Sequence, residues 1–240
     1  MRLGVRLIKR VFDIACSATG LAITVPFYPL IAGAIYLESP GPVFYKQRRV
    51  RRLLGGGAGG KDLEFEDFEI LKFRTMVLDA EKNGAQLAAK ADRRVTRVGR
   101  FLRKTRIDEL PQLWNVWKGD MSMVGPRPER PEILQQLALA IPYFEERTRG
   151  VKPGLTGLAQ VCLGYTGEAD PKSEIGAYLK DLTNPFGIPE AEGALADDMR
   201  VKLLYDLAYC ASLEDLKSFA RTELEILLKT PLVMLRGSGQ

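Results

Sequence analysis

The sequence contains no histidine among its 240 residues and only three cysteines. The absence of imidazole excludes the commonest general base and the commonest metal ligand. The cysteines, Cys16, Cys162 and Cys210, are odd in number, far apart and without a CxxC pair. This usage argues against a zinc site and a disulfide framework, and we expect three free thiols. Any acid, base or nucleophile must therefore come from carboxylates, lysine, tyrosine, serine or these thiols.

The sequence also lacks the common phosphate-binding glycine motifs. Neither GxxxxGK[ST] nor GxGxxG is present, so the glycine-rich run 55–60 is expected to be a surface loop. The excess of positive charge is not spread over the whole chain. Residues 1–52 carry nine basic and two acidic side chains, whereas the remainder carries 26 basic and 28 acidic ones. This distribution argues against a protein that binds nucleic acid over its whole surface. It indicates that the N-terminal region contacts one anionic surface.

What the sequence does contain is a long apolar stretch at residues 11–37, in which Asp13 is the one charge. As a straight helix it would measure roughly 40 Å, enough to cross a bilayer core of roughly 30 Å. Pro26 and Pro29 interrupt it, and both of its flanks are basic, so each flank favours the cytoplasmic side. We expect a re-entrant helix–break–helix. A single-span anchor, a cleaved signal peptide and a buried core helix are the alternatives.

Two strand-like runs, 38–52 and 63–74, flank the glycine loop and predict a β-hairpin with a long tip. Residues 92–107 carry an apolar stripe surrounded by arginine and lysine. This pattern is typical of a helix against an anionic membrane surface or around an anionic ligand, and the alternative is a solvated basic face.

Four later or intervening segments complete the prediction. Residues 77–91 read as a soluble helix, and 130–147 as a helix that is either interfacial or packed in the core. Residues 166–200 are rich in glycine, proline and acids, which predicts an exposed and partly irregular insertion. Residues 212–230 predict an amphipathic helix capped by Ser212 and Asp215.

Two adjacent carboxylates, Asp108 and Glu109, precede a helix that the sequence predicts to begin near Leu110 or Pro111. The positive end of a helix dipole favours an anion there, either a carboxylate or a phosphate. Adjacent residues do not share a helix face, so the two acids can have different roles. A simple helix cap remains the alternative on these grounds alone.

The context of the pair favours chemistry. Arg127 stands between two prolines, and a fixed guanidinium matches phosphate geometry. The segment 151–160 adds a glycine-spaced turn beside a lysine. Carboxylates, with Mg²⁺, together with rigid arginines and a membrane-dipping segment indicate phosphoryl transfer onto a lipid.

At this point the chain resembles a known family, the bacterial sugar transferases, which are monotopic polyprenyl-phosphate phosphoglycosyl transferases. The matching motifs run in one order through most of the chain, and this is far more specific than any single motif. They are Lys9-Arg-Val-Phe-Asp13, Glu38-Ser-Pro-Gly-Pro-Val-Phe, Lys72-Phe-Arg-Thr-Met76, Gly99-Arg-Phe-Leu-Arg103, Asp108-Glu-Leu-Pro-Gln-Leu-Trp-Asn115, Lys118-Gly-Asp-Met-Ser122, Gly125-Pro-Arg-Pro128 and Lys152-Pro-Gly-Leu-Thr-Gly-Leu-Ala-Gln-Val161.

The resemblance implies a reaction in which a UDP-sugar gives its phospho-sugar to polyprenyl phosphate and releases UMP. Asp108 would attack the phosphate next to the sugar and form a covalent ester, which the lipid phosphate then attacks. Glu109 would activate the lipid phosphate or position Mg²⁺, and the metal ligands would be Asp108 and Glu109. Four basic side chains would bind substrate phosphates: Arg103, Arg127, Lys72 and Arg74.

The resemblance also implies an α+β fold with a re-entrant membrane helical hairpin at 1–40. A catalytic domain at 41–240 would carry the β-hairpin, several amphipathic interfacial helices and the insertion near 166–200. The chain would lie on the cytoplasmic face of the bacterial inner membrane, in contact with membrane lipid and without nucleic acid, and a homodimer is left open. Two positions depart from the family pattern, since Val25 precedes Pro26 where serine is common, and Cys162 stands where asparagine is frequent.

Two other functions are compatible with parts of the sequence. One is a membrane-anchored, non-catalytic assembly protein of a polysaccharide export system, for which Asp108 would be dispensable. The other is a nucleic-acid-binding protein using the basic segment 92–106, which leaves the apolar stretch unexplained.

Overall fold

The structure is a computed structural model that describes residues 1–56, 62–80, 92–163 and 190–235. Within these ranges it is a mixed fold of helices and two small sheets, which confirms the mixed helix and sheet class. The helices are α1 (Leu3–Thr24), α2 (Tyr28–Glu38), α3 (Arg97–Lys104), α4 (Gln112–Lys118), α5 (Pro131–Ala140), α6 (Leu158–Cys162), α7 (Glu190–Ser212) and α8 (Leu216–Leu235). The strands are β1 (Phe44–Gly55), β2 (Glu64–Phe73), β3 (Ser122–Val124) and β4 (Gly154–Thr156).

The apolar stretch is helical on both sides of a 3-10 turn at Val25–Phe27. Pro26 lies in this turn, where its missing backbone N–H removes a helical hydrogen bond. Together α1 and α2 span Leu3–Glu38 and form one stretch that is long and apolar enough to cross a membrane by length and composition. Most of its large apolar side chains are exposed, among them Leu30 and Leu37. These side chains need an apolar surrounding outside the chain itself.

One face of α1 is joined to β3 by buried charged side chains. Nζ of Lys9 donates to the carbonyl of Val124 at 2.9 Å and lies 2.5 Å from Oε1 of Glu223 in α8. Oδ1 of Asp13 accepts from Oγ of Ser122 and from the next backbone amide, both at 2.8 Å. These buried bonds set the depth and rotation of α1 on the domain, because an unpaired charge there would be costly.

The predicted β-hairpin is confirmed. Strands β1 and β2 pair antiparallel from Phe44 opposite Phe73 to Gly55 opposite Glu64. Phe73 and Ile35 of α2 are buried together in one apolar cluster. The hairpin therefore packs against the apolar stretch, and the C-terminal end of β2 lies at the turn that carries Glu109.

The second sheet is a parallel pair in which Ser122 aligns with Gly154 and Val124 with Thr156. It brings the turn after β3 against the turn before β4 so closely that a Cβ added at Gly125 or Gly154 would clash with backbone atoms. This close approach explains the glycine spacing noted in the sequence, since only glycine lets two backbones meet at such a distance.

Several boundaries differ from the sequence-based predictions. Within the basic segment 92–107 only α3 is helical, because Thr96 caps it through a bond from the amide of Gly99. Residues 190–200 of the segment predicted as a partly irregular insertion belong to α7, while 164–189 lie outside the described residues. The helix predicted over 77–91 lies mostly outside them too. The last helix is α8, which is capped by Asp215 through the amide of Ser218, whereas Ser212 ends α7.

Candidate active site

The two adjacent acids lie in a 3-10 turn, Ile107–Glu109, between α3 and α4. Arg106 precedes the turn with a φ of +58°, a left-handed conformation that ends α3 and redirects the chain. Helix α4 then begins at Gln112 with Pro111 as its cap, in agreement with the predicted start. Asp108 is 7% exposed and Glu109 is 6% exposed. Both carboxylates are thus held inside the domain, where unpaired charge is unfavourable.

Two cations meet on one oxygen of Glu109. Nζ of Lys72 and Nη2 of Arg127 each lie 2.8 Å from its Oε1. Burial alone would raise the pKa of Glu109, but Arg127 and Lys72 hold this pKa well below its ordinary value. The structure therefore brings together three of the predicted site residues, one from β2, one from the turn after α3 and one from the turn after β3.

Asp108 has the opposite electrostatic surroundings. Burial and the neighbouring charge of Glu109 raise its pKa to about 6, against the opposing effect of Lys72, Arg106 and Arg103. Its Oδ1 is buried and has no hydrogen-bond partner among the described residues. Glu109 is thus held as an anion by two cations, whereas Asp108 has an unpartnered oxygen at the same site.

The remaining two predicted residues lie differently. Nε of Arg103 donates to Oγ1 of Thr75 at 2.8 Å, and its charge acts on Asp108. Arg103 therefore borders the site. The guanidinium of Arg74 instead donates to the carbonyl of Ser39, which follows α2. The contacts that the described residues show for Arg74 join the hairpin to the membrane segment, and they do not bring it to the two acids.

Two amide side chains of α4 were missed as candidates, although both belong to the motif that carries the acids. Asn115 accepts from the amide of Leu71 at 3.0 Å and donates to the carbonyl of Glu69 at 2.8 Å, so it ties α4 to β2. Gln112 is 2% exposed, and its Nε2 has no partner in the described part of the chain. It stands four residues after Asp108, whose Oδ1 is also without a partner. The signal in the sequence was their spacing from Asp108, which is four residues for Gln112 and seven for Asn115.

The described residues contain no cluster of three or more acidic or cysteine side chains that could hold a metal by itself. A magnesium ion does not need one, because it is commonly bound by one or two carboxylates together with substrate phosphates and water. The unpartnered Oδ1 of Asp108 is a hard oxygen of the right kind. Oε1 of Glu109 already accepts from two cations and would have to release one to bind a metal.

Comparison with known proteins adds the decisive observation. The sequence model of the family described as bacterial sugar transferase matches residues 4–237, nearly the whole chain. The chain belongs to this family. The resemblance seen in the ordered motifs is thereby confirmed.

Individual relatives from this family are also similar. A Bacillus subtilis protein is 52% identical over 140 residues, which is 58% of this chain and 72% of the relative. The UDP-N-acetylgalactosamine-undecaprenyl-phosphate N-acetylgalactosaminephosphotransferase of Aeromonas hydrophila is 46% identical over 68% of this chain and 36% of its own length. The UDP-glucose:undecaprenyl-phosphate glucose-1-phosphate transferase of Caulobacter vibrioides is 46% identical over 67% of this chain and 55% of its own. The match thus spans about a third to a half of the last two relatives.

Proposed function

We propose that this protein transfers a phospho-sugar from a UDP-sugar to polyprenyl phosphate and releases UMP. The observation that carries the proposal is the pair of buried acids with opposite surroundings, in a chain of the sugar transferase family. Glu109 is fixed by Lys72 and Arg127, while Asp108 keeps an unpartnered oxygen. Relatives named for undecaprenyl-phosphate and for UDP-sugars support the choice of both substrates.

The proposed first step forms a covalent intermediate. A carboxylate oxygen of Asp108 attacks the phosphorus next to the sugar, and the bond from that phosphorus to the bridging oxygen breaks. The bonding electrons leave with UMP, and an aspartyl phospho-sugar ester remains. In the second step an oxygen of polyprenyl phosphate attacks the same phosphorus and displaces the Asp108 carboxylate. The product is a polyprenyl diphosphate sugar.

Glu109 has a positioning role in this scheme. Its low pKa makes it a weak proton acceptor. The attacking lipid phosphate is a phosphate monoester with a second pKa near 6, so at neutral pH it is already largely anionic and needs no strong base. Glu109 then holds Lys72 and Arg127 in place, where both cations can balance the charge of the transferred phosphoryl group.

Asp108 and Glu109 would be the carboxylates that hold Mg²⁺, together with the diphosphate of the donor. Bound there, the ion would supply charge neutralisation for the leaving UMP. Arg127 and Arg103 would supply fixed positive charge on the remaining phosphate oxygens.

We also propose that α1 and α2 form a re-entrant hairpin with the domain on the cytoplasmic face of the bacterial membrane. Contacts to the domain at both ends of the stretch support this. Near the beginning, Arg10 donates to the last carbonyls of α4, those of Val116 and Trp117, at 2.8 Å and 2.7 Å. At the end, the carboxylate of Glu38 accepts from the first two amides of α3, both at 2.7 Å. A straight crossing would place the two ends on opposite sides of the bilayer.

The proposed function is tested by incubating the detergent-solubilised chain with a panel of UDP-sugars and undecaprenyl phosphate, and by measuring UMP. We expect UMP release with at least one donor, such as UDP-glucose or UDP-N-acetylgalactosamine. We expect no release with EDTA or from Asp108→Asn or Glu109→Gln, and full release again when Mg²⁺ is returned to the wild type. A non-catalytic assembly protein would release no UMP with any donor, and unchanged turnover in Asp108→Asn would exclude Asp108 as the nucleophile.

A further inference from the structure

A buried cluster of charges lies behind the turn that carries Arg127. We name it the rear cluster, and its members come from β1, the turn after β3, the 3-10 turn Phe144–Thr148 and α7. It contains three cations and two anions: Arg49, Arg147, Lys202, Glu129 and Asp206. Burying these five charges costs desolvation free energy, so stability alone does not explain why the protein contains the cluster.

Arg147 is the centre of this cluster. Its side chain is 0% exposed and packs on the ring of Phe144, with its guanidinium carbon 5.0 Å from the ring centre. Nη2 donates to the backbone carbonyl of Arg127 at 3.0 Å and lies 2.7 Å from Oδ2 of Asp206. Nη1 lies 3.5 Å from Oε1 of Glu129. Since the side chain has no exposure, Arg147 cannot touch a substrate, and its contact with the site passes through the backbone of Arg127.

The next two residues of the same turn are also held, Pro128 through its backbone carbonyl and Glu129 through its side chain. Nη1 of Arg49 donates to the carbonyl of Pro128 at 2.9 Å. Nζ of Lys202 lies 2.5 Å from Oε1 of Glu129. Burial would raise the pKa of Glu129, but Lys202, Arg147 and Arg49 hold it at about 2, so this carboxylate stays charged. Three consecutive residues are therefore fixed from behind, and the first of them presents its guanidinium to Glu109.

A fixed backbone matters here because the catalytic value of a charge depends on its position. A displacement of about 1 Å in a positioning group can reduce a rate about 10²-fold. The prolines at 126 and 128 restrict the backbone on either side of Arg127, but they do not fix the turn relative to the domain. Backbone bonds attach two other residues of this turn, because the carbonyl of Pro126 accepts from the amide of Gly154 at 2.9 Å and the carbonyl of Glu129 accepts from the amide of Val50 at 3.0 Å. The rear cluster adds the bond to the carbonyl of Arg127 itself.

We infer that Arg147, paired with Asp206, is a positioning residue that fixes the backbone of Arg127 and so directs the Arg127 guanidinium at the phosphates of the nucleotide sugar. The inference rests on the proposed function, since it takes Arg127 to bind the donor phosphates. It connects α7, far along the chain, to the chemistry at Asp108 and Glu109. It adds a residue that no local sequence pattern marks.

The inference is tested by a double-mutant cycle between Arg147→Met and Arg127→Met, with UMP release measured over a range of UDP-sugar concentrations. We expect Arg147→Met to lower kcat/KM about 10- to 100-fold, largely through a higher KM for the donor with the KM for polyprenyl phosphate little changed. In the Arg127→Met background the same substitution should cost less than about 3-fold, because the group through which it acts is gone. Arg147→Lys should recover part of the loss.

A matched control separates positioning from simple destabilisation. Leu213→Ala removes a side chain that is 1% exposed in another part of the core. We expect it to lower the unfolding temperature and to change kcat/KM by the same factor in both backgrounds. Asp206→Asn, which keeps the size of the side chain, repeats the cycle if Arg147→Met does not fold.

The outcomes are distinguishable. If Arg147→Met lowers kcat/KM by the same factor with and without Arg127→Met, and Asp206→Asn does so too, the positioning role is overturned. The proposed function is then left intact. If Arg127→Met is as active as the wild type, Arg127 does not bind the donor phosphates. This result also overturns the inference. A wild-type chain that releases no UMP with any donor would overturn the proposed function itself and this inference with it.

Discussion

Nζ of Lys72 lies 2.8 Å from Oε1 of Glu109, so the end of a β-hairpin is joined to a turn 37 residues later in the chain. The same oxygen accepts from Arg127 at the same distance. This arrangement fixes Glu109 as an anion and leaves the neighbouring Asp108 with an unpartnered oxygen. Two adjacent carboxylates thereby acquire different chemistry from their surroundings alone.

Replacing Lys72 by methionine should weaken the site without unfolding the domain. Glu109 would keep one of its two cations, so its pKa should rise, and the positive charge near the transferred phosphoryl group should fall. We expect kcat/KM for UMP release to decrease about 10²-fold. The matched control is Lys46→Met on β1, whose salt bridge to Glu69 is exposed and which should retain nearly full activity. Similar losses in both variants would contradict a specific role for Lys72.

Asp108→Asn should stabilise the protein, and more so as the pH rises. The pKa of Asp108 is about 6 in the folded chain against an ordinary value of 3.8, so the folded state holds the proton more tightly than the unfolded state. The ionised carboxylate therefore destabilises the fold, with no effect below about pH 4 and the full effect above about pH 6. At pH 7 the gain should approach roughly 3 kcal/mol.

Thermal unfolding of wild type and Asp108→Asn in metal-free buffer, from pH 4 to pH 7.5, measures this difference. The two unfolding temperatures should converge near pH 4, move apart between about pH 4 and pH 6, and keep a nearly constant difference above that. A difference that is constant with pH, or that grows toward acid, would show that burial does not raise the pKa of Asp108.

Asn115→Ala should destabilise the contact between α4 and β2. The substitution leaves the amide of Leu71 and the carbonyl of Glu69 without their buried partners. We expect a loss of roughly 2–6 kcal/mol in the free energy of unfolding, since each of the two unsatisfied groups costs about 1–3 kcal/mol. Denaturant unfolding measures it, with the exposed Gln135→Ala on α5 as control. A loss no larger than that of the control would contradict the structural role of Asn115.

Both ends of the apolar stretch should lie on the same side of the membrane. In a chain whose three native cysteines are replaced by alanine, single cysteines at Arg2 and Arg52 should both resist a membrane-impermeant maleimide in intact cells. Both should react once the membrane is opened. Labelling of one position alone in intact cells would rule out the re-entrant hairpin and favour a single crossing.

Much of the site was predictable because its parts are local. Asp108 and Glu109 lie in one motif with the proline that precedes α4, and Arg127 is marked by its two flanking prolines. The hairpin followed from two strand-like runs around a glycine loop, and the pairing of Phe44 with Phe73 confirms it. In these cases the residues that decide the structure are neighbours in the sequence.

The remainder depends on long-range contacts that no local pattern contains. Arg74 stands two residues after Lys72, and the two seemed equally suited to phosphate, but Arg74 follows the end of β2 and bonds to the Ser39 carbonyl. Arg147 is the last residue of the segment 130–147, which was predicted as a helix, and only the packing of α7 places Asp206 against it. The cap of α8 was misassigned because Ser212 still belongs to the preceding helix.

The central claim is that Asp108 forms a covalent phospho-sugar ester, and peptide mass spectrometry tests it most directly. The chain is mixed with its UDP-sugar and Mg²⁺ in the absence of polyprenyl phosphate, then quenched in acid and digested. We predict one equivalent of UMP, a mass increase equal to the sugar phosphate on the peptide containing Asp108, and loss of this increase on adding undecaprenyl phosphate. UMP release that occurs only when the lipid is present, with no adduct at Asp108, would contradict the account.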